Sequence, residues 1–160
     1  MKIGERFGLT SLVIFLVAFF VFHCKKSEPT KEMQVTAATY TEANNKGVAL
    51  LKEKKFEEAL AYFKKSAELK PDFALAYYNQ GVSYQAMDDY KTAVLAYQKA
   101  RSLNPNDAKI YFNLALVQSK SGDKQGALEN YKKFIEIAPP EKMAKPIEDA
   151  KVRIQVLSAQ

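Results

Sequence analysis

Small, aromatic and aliphatic side chains recur along the chain with a period of 34 residues. Pro71, Pro105 and Pro139 keep this interval, and each stands two positions after a large aliphatic side chain. Small residues and rings recur in the same register, at Gly47, Gly81 and Ala115, at Ala59, Ala93 and Ala127, and at Phe63, Tyr97 and Tyr131. A repeat of this length indicates stacked supersecondary units, each of which buries its apolar face against the next.

Each unit is predicted to be a hairpin of two antiparallel helices. Small residues allow two helix backbones to approach closely, and aromatic rings fill the adjacent grooves. Turn residues lie between the two helices, in MDDY at 87–90 and KSGDK at 120–124, with KEKKF at 52–56 in the same place of the first unit. Each proline marks the end of a second helix, because it lacks an N–H and disfavours helix in the residue before it.

The segment after Pro139 does not begin another unit, because Pro146 falls where a further repeat would need helix interior. Instead, the last residues place an apolar stripe on one helical face, at Ile147, Ala150, Ile154 and Leu157. Pro146 lies in the first turn, where its missing donor costs nothing. We therefore predict a capping helix at 145–158.

This pattern resembles the tetratricopeptide repeat, which has the same period and the same small, aromatic and proline positions. The second unit carries the signature at Tyr77, Gly81, Tyr84, Ala93, Tyr97, Ala100 and Pro105. In the third unit, Gln118 replaces an aromatic residue of the family pattern and Phe134 replaces a small one. The resemblance implies an all-α fold at 39–160, a right-handed superhelical solenoid of hairpins at 40–73, 74–107 and 108–141 followed by the capping helix.

The same resemblance implies a concave groove lined by the first helix of each hairpin. The positions carried over are Asn44, Val48 and Leu51, then Leu75, Tyr78, Val82 and Gln85, then Lys109, Phe112, Leu116 and Ser119. The centre of this groove is apolar and aromatic, so we expect it to bind a protein or peptide segment through hydrophobic side chains. The alternative is that Val48, Val82 and Leu116 only pack within a tight superhelix.

Chaperone-binding members of the family hold a terminal carboxylate with lysine, asparagine and arginine side chains at set positions. Asn79 and Lys109 match that set, whereas Asn44, Val48 and Asn113 replace its other members. Capture of a chaperone tail is therefore not expected. Asparagines at 45, 79 and 113 recur with the repeat. Two roles are open for them: they hydrogen-bond either to the backbone of a ligand or to a neighbouring helix.

The composition argues against catalysis and against nucleic-acid binding. The only histidine is His23, near the N-terminus, and no phosphate-cradling glycine loop or nucleophile elbow is present. We predict that the chain is not an enzyme and uses no cofactor or metal. The net charge of +6 is interspersed along the chain instead of forming a basic run, so no nucleic-acid partner is expected.

The first 24 residues have the layout of a secretory signal, with Lys2 and Arg6 before an uncharged apolar run. The chain's only cysteine, Cys24, ends that run and resembles the lipidated cysteine of a bacterial lipoprotein, although Phe22 and His23 are bulkier than the usual residues there. An uncleaved signal anchor and a plain cleaved signal are the alternatives. Residues 25–38 are polar and predict a flexible tether.

These features together predict a membrane-tethered interaction module of the bacterial cell envelope, on the periplasmic or surface side. A membrane contact through the N-terminal lipid, or through an inner-membrane signal anchor, would hold the groove near its partner. The alternative function is a structural protein of the envelope that self-associates through its repeat stack. Such a homo-oligomer would show a mass that rises with concentration.

Overall fold

The structure, a computed structural model, describes residues 35–159, so the predictions for residues 1–24, Cys24 and most of the tether lie outside the described residues. Within 35–159 there are seven α-helices and no strand. They are α1 Tyr40–Lys52, α2 Phe56–Leu69, α3 Ala74–Ala86, α4 Tyr90–Leu103, α5 Ala108–Ser121, α6 Lys124–Ile137 and α7 Pro140–Ser158. None of these helices has the length and apolarity that crossing a bilayer requires.

Each helix packs against the next one in the chain, and α1 also touches α3. This is the arrangement of a helical solenoid, in which α1/α2, α3/α4 and α5/α6 are hairpins and α7 ends the stack. The predicted all-α solenoid is confirmed. The periodic small and aromatic residues form its interior, because Ala59, Ala93 and Ala127 and the rings of Phe63, Tyr97 and Tyr131 are all fully buried.

Short polar side chains begin several of the helices. Thr39 accepts a hydrogen bond from the Glu42 amide at 3.1 Å, and the Glu42 carboxylate accepts one from the Ala38 amide at 2.9 Å. Asp89, Asp107 and Asp123 accept from first-turn amides of α4, α5 and α6. These bonds satisfy N–H groups that have no partner within the helix, which fixes where each helix starts.

Close contact between the two helices of a hairpin explains the glycines of the repeat. A Cβ atom added to Gly81 would lie 2.6 Å from Cε1 of Tyr97, and one added to Gly47 would lie 2.6 Å from Cε1 of Phe63. No side chain other than hydrogen fits at these two crossings without moving a fully buried ring.

The turn inside each hairpin contains one residue with positive φ at the same repeat position. These residues are Lys54 with φ 61°, Asp88 with φ 59° and Gly122 with φ 91°. The left-handed conformation costs a residue with a Cβ about 1–2 kcal/mol, so only the third hairpin turns without that cost.

The last helix begins earlier than the apolar stripe predicts, at Pro140 rather than at residue 145. A proline is well suited to the first position of a helix, since the N–H it lacks has no partner there. Met143 has non-helical angles, φ −126° and ψ 25°, and divides α7 at a kink. Pro146 accounts for the kink, because it cannot donate to the carbonyl one turn earlier and its ring crowds that turn.

Candidate partner-binding groove

The residues predicted to line the groove lie on α1, α3 and α5, which are the first helices of the three hairpins. Their exposure differs. Asn44 and Asn79 are buried, Leu75 and Lys109 are exposed, and the rest are half-buried, namely Val48, Leu51, Tyr78, Val82, Gln85, Phe112, Asn113, Leu116 and Ser119. The groove role of these residues stays a prediction, and their contacts separate those that hold the fold from those that face a ligand.

Two of the asparagines bond to neighbouring helices. The Asn79 amide donates to the Asn44 side-chain oxygen at 2.8 Å, and both side chains are buried. The Asn113 amide donates to the Tyr78 hydroxyl at 2.7 Å. Each bond joins first helices of adjacent hairpins, so at positions 79 and 113 the asparagines act between helices. Asn45 is exposed.

The two rings at the centre of the groove pack onto the second helices beneath them. The Tyr78 ring centroid is 5.6 Å from that of Tyr97, while Phe112 lies 5.1 Å from Phe134 and 5.9 Å from Tyr131, edge to face. Burial raises the pKa of Tyr78, and the Asp107 carboxylate raises it further, against the hydrogen bond from Asn113. Tyr78 is thus a neutral, half-buried ring that packs on the core through Tyr97.

Val82 and Gln85 also have structural contacts. Val82 packs against the buried cluster that contains Tyr97 and Leu114, and Gln85 accepts a hydrogen bond from the Tyr97 hydroxyl at 3.0 Å. The packing role that the sequence left open therefore holds for Val82. Part of the hydrogen-bonding capacity of the Gln85 side chain is therefore used within the fold, by a buried hydroxyl.

An apolar pocket of about 100 Å³ opens where α5 meets α7. It is lined by Tyr78, Lys109, Phe112, Asn113, Phe134, Met143 and Pro146. Tyr78, Lys109, Phe112 and Asn113 belong to the predicted groove. Phe134, Met143 and Pro146 were missed, and we refer to this site as the apolar pocket.

Of the three pocket residues that were not predicted, Phe134 is the one whose repeat position marks it as unusual in the sequence. Phe134 is the large residue at a position that is serine in the first unit, Ser66, and alanine in the second, Ala100. It is buried and supplies the ring on which Phe112 stacks. Met143 and Pro146 come from α7, whose kink the repeat pattern does not describe.

The other departure of the third unit, Gln118, is structural. Its side chain is buried, donates to Asp123 at 2.7 Å and accepts from Asn130 at 2.7 Å. Arg101 of the preceding hairpin donates to Asn130 at 3.1 Å and extends the network across the repeat boundary. Among residues 35–159, no three His, Cys, Asp or Glu side chains lie together as a metal site would require.

Helical hairpins that stack one after another define a helical repeat protein. The tetratricopeptide repeat family matches residues 43–73 and 74–107, and a second profile of the same description matches 96–129. Together these matches span more than half of the chain, which belongs to the tetratricopeptide repeat family. The chain is accordingly a protein–protein interaction module of that type.

Solved structures share this fold at low sequence identity. A type III secretion (T3SS) complex from Aeromonas hydrophila has a TM-score of 0.71 at 20% identity, covering 78% of this chain and 84% of that one. The Yersinia enterocolitica type III secretion chaperone SycD, in complex with a peptide of the translocator YopD, has a TM-score of 0.72 at 16% identity, covering 79% and 97%. The first repeat domain of Spaghetti (RPAP3), bound to the HSP90 peptide SRMEEVD, has a TM-score of 0.69 at 18% identity, covering 79% and 96%. No curated protein matches the chain by sequence.

Proposed function

We propose that this chain is a membrane-tethered adaptor that binds an apolar side chain of a partner segment in the apolar pocket. The observation that carries the proposal is the pocket itself, whose rings and aliphatic groups stay accessible between α5 and α7. Solved structures of proteins with the same fold in complex with peptides support a peptide ligand. In this proposal the chain has no catalytic role and uses no cofactor.

The size of the pocket sets the size of its ligand. At about 100 Å³, it is smaller than the roughly 150 Å³ cavity that holds a benzene molecule. It therefore accepts one aliphatic side chain rather than an indole or a helix face. Burial of such a side chain is worth about 1.5–3 kcal/mol, or roughly tenfold to a hundredfold in affinity.

The pocket is better tested by a substitution at its rim than by removal of its rings. Alanine at Tyr78 and Phe112 would remove rings that pack on buried Tyr97 and Phe134, so stability and binding would change together. Lys109 is exposed at the pocket rim, and a tryptophan there can cover the opening without leaving a cavity in the core.

Lys109→Trp is expected to weaken peptide binding at least tenfold while the unfolding midpoint stays unchanged or rises. The probe is a synthetic library of random octapeptides with a free C-terminus, incubated with the full chain in detergent micelles and read by the amount and sequence of retained peptide. Wild type should enrich peptides that contain leucine, isoleucine, valine or methionine.

Lys91→Trp is the matched control, since Lys91 is an exposed lysine on α4 away from the pocket. It removes the same charge and adds the same ring. Equal retention by wild type and Lys109→Trp, or equal loss in both variants, would exclude the apolar pocket as the binding site.

Tethering to the bacterial envelope completes the proposal and rests on the sequence. The apolar run before Cys24 and the polar segment after it support lipidation of Cys24, with residues 25–38 as spacer. Feeding an alkyne-tagged fatty acid to bacteria that express the full chain is expected to label wild type but not Cys24→Ser. A labelled serine variant, or an unlabelled wild type that still partitions with membranes, would favour a signal anchor instead.

A further inference from the structure

A second cavity, of about 420 Å³, lies between the C-terminal end of α5 and the second half of α7. Its lining is mixed, with Ser119, Lys124, Asp149 and Arg153 as polar members and aliphatic side chains of α7 beside them. We call it the polar pocket. It is separate from the apolar pocket, with which it shares no lining residue.

A comparison of the three hairpins shows what is unusual at this place. Twelve positions before the buried ring of each second helix the chain has Leu51 for Phe63, Gln85 for Tyr97 and Ser119 for Tyr131. The first pair is apolar, and the second is closed by a hydrogen bond of 3.0 Å from the Tyr97 hydroxyl to Gln85. The third pair combines a tyrosine with a side chain too short to reach it.

The Tyr131 hydroxyl is consequently buried without a hydrogen-bond partner among the described residues. The Tyr131 side chain is fully buried, and a hydroxyl in that position normally has an acceptor. Burial raises the pKa of Tyr131, whereas the Arg153 guanidinium opposes this effect, which locates the hydroxyl beside a lining residue of the polar pocket.

The polar pocket has more donors than acceptors. Arg153 donates from Nε to Asp149 at 2.8 Å, and its guanidinium lies beside the Tyr131 hydroxyl. Lys124 is a second cation of the lining and the Ser119 hydroxyl a further donor, whereas Asp149 is the single carboxylate of the lining. An acceptor with negative charge is the group that complements this set, and arginine suits a carboxylate because its N–H groups match both oxygens.

We propose that the polar pocket binds a carboxylate of the same segment whose apolar side chain enters the apolar pocket, an inference that rests on the proposed function. The two pockets are joined by two helices. Phe112 and Ser119 are seven residues apart on α5, as are Pro146 and Arg153 on α7, which is about 10 Å along each helix. An extended peptide covers that distance in about three residues, so an apolar residue followed by a nearby C-terminus fits both pockets.

Ser119→Gln is the decisive variant, because it gives the third hairpin the glutamine that the second hairpin has at the same repeat position, Gln85. The new amide should fill the polar pocket and accept from Tyr131, as Gln85 does from Tyr97. The melting temperature is expected to stay equal or rise, while retention of the free-acid octapeptides falls about tenfold. Arg153→Gln should lower retention similarly, and Lys151→Gln, on the same helix but outside the pocket, should not.

An amidated copy of the library separates the two sources of a carboxylate. If the C-terminus is the ligand, the free-acid library is retained about tenfold more and the apolar residue is enriched about three positions before the end. If an acidic side chain is the ligand, both libraries are retained equally and both enrich aspartate or glutamate.

Equal retention of both libraries without acidic enrichment would overturn the proposal, as would a Ser119→Gln variant that binds like wild type. Lys109→Trp distinguishes this failure from failure of the adaptor function. If the retained peptides show no preference for a carboxylate but are still enriched in apolar residues, only the polar-pocket proposal is refuted. A carboxylate preference that persists in Lys109→Trp at wild-type strength refutes the apolar pocket.

Discussion

Replacing Gly81 with leucine is expected to destabilise the solenoid by about 3 kcal/mol, at the upper end of the usual cost of overpacking a core. The first added carbon alone would lie 2.6 Å from Tyr97, and that ring is fully buried. The hairpin α3/α4 can accommodate the leucine only by moving apart, which also disturbs the hairpins on either side. Urea unfolding followed by far-ultraviolet circular dichroism measures the change.

Ala86→Leu is the control, since Ala86 is exposed at the last position of the same helix. It adds a leucine to α3 without a ring opposite, and its unfolding free energy should stay within about 0.5 kcal/mol of wild type. A Gly81→Leu protein as stable as this control would mean that α3 and α4 do not cross at Gly81.

Raising the pH above about 10 is expected to unfold the chain steeply, because buried tyrosines ionise only after unfolding. Burial raises the pKa of Tyr97 and of Tyr131, and both side chains are fully buried. Between the unfolded and folded pKa values the unfolded chain binds fewer protons, so stability falls as pH rises. Below about pH 10, ionisation of these tyrosines does not change the free energy of unfolding. Each such group contributes up to about 1.4 kcal/mol per pH unit to the slope, and Tyr78, whose pKa burial also raises, adds to the effect of these two.

Urea midpoints measured across the alkaline range, with tyrosinate absorbance recorded on the same samples, test this expectation. Tyr131→Phe should reduce the slope by about 1.4 kcal/mol per pH unit and cost little at neutral pH, because its hydroxyl has no acceptor to lose within the described residues. Tyr97→Phe should reduce the slope by the same amount but lower the neutral stability by about 1 kcal/mol, since Gln85 loses its hydrogen bond. A wild-type slope equal to that of Tyr131→Phe would show that Tyr131 is accessible to water.

The fold was predictable because the same packing requirement, two helices that cross closely and then end, recurs in each of the three hairpins. Gly47 and Gly81 are needed where a ring crosses, and each of the three prolines that recur with the repeat stands two residues after the end of a helix. Periodicity of this kind reports local packing, which is the same in every unit. It therefore predicts the hairpins and their order, whereas the groove role of Tyr78 and Phe112 stays a prediction.

The candidate site was predictable only in part, because both pockets arise where the repeat is broken. Phe134 is visible as a departure in the sequence, but the apolar pocket also needs Met143 and Pro146, which lie in the kinked part of α7. The hydroxyl of Tyr131 has no acceptor among the described residues, and Ser119 stands at the repeat position from which Gln85 accepts the bond of Tyr97. Recognising that mismatch requires knowing that the two positions face each other, which the hairpin geometry supplies and the period does not.

The position of α7 has a consequence for how the two pockets persist. Stacked helices are held by their nearest neighbours, and α7 packs on α6 at the end of the array. Such terminal helices detach transiently at a lower free energy than the whole domain needs to unfold. Since Met143, Pro146 and Arg153 all lie on α7, each detachment dismantles both pockets at once. A bound segment would therefore slow amide hydrogen exchange in α7 well before it altered exchange in α3 and α4.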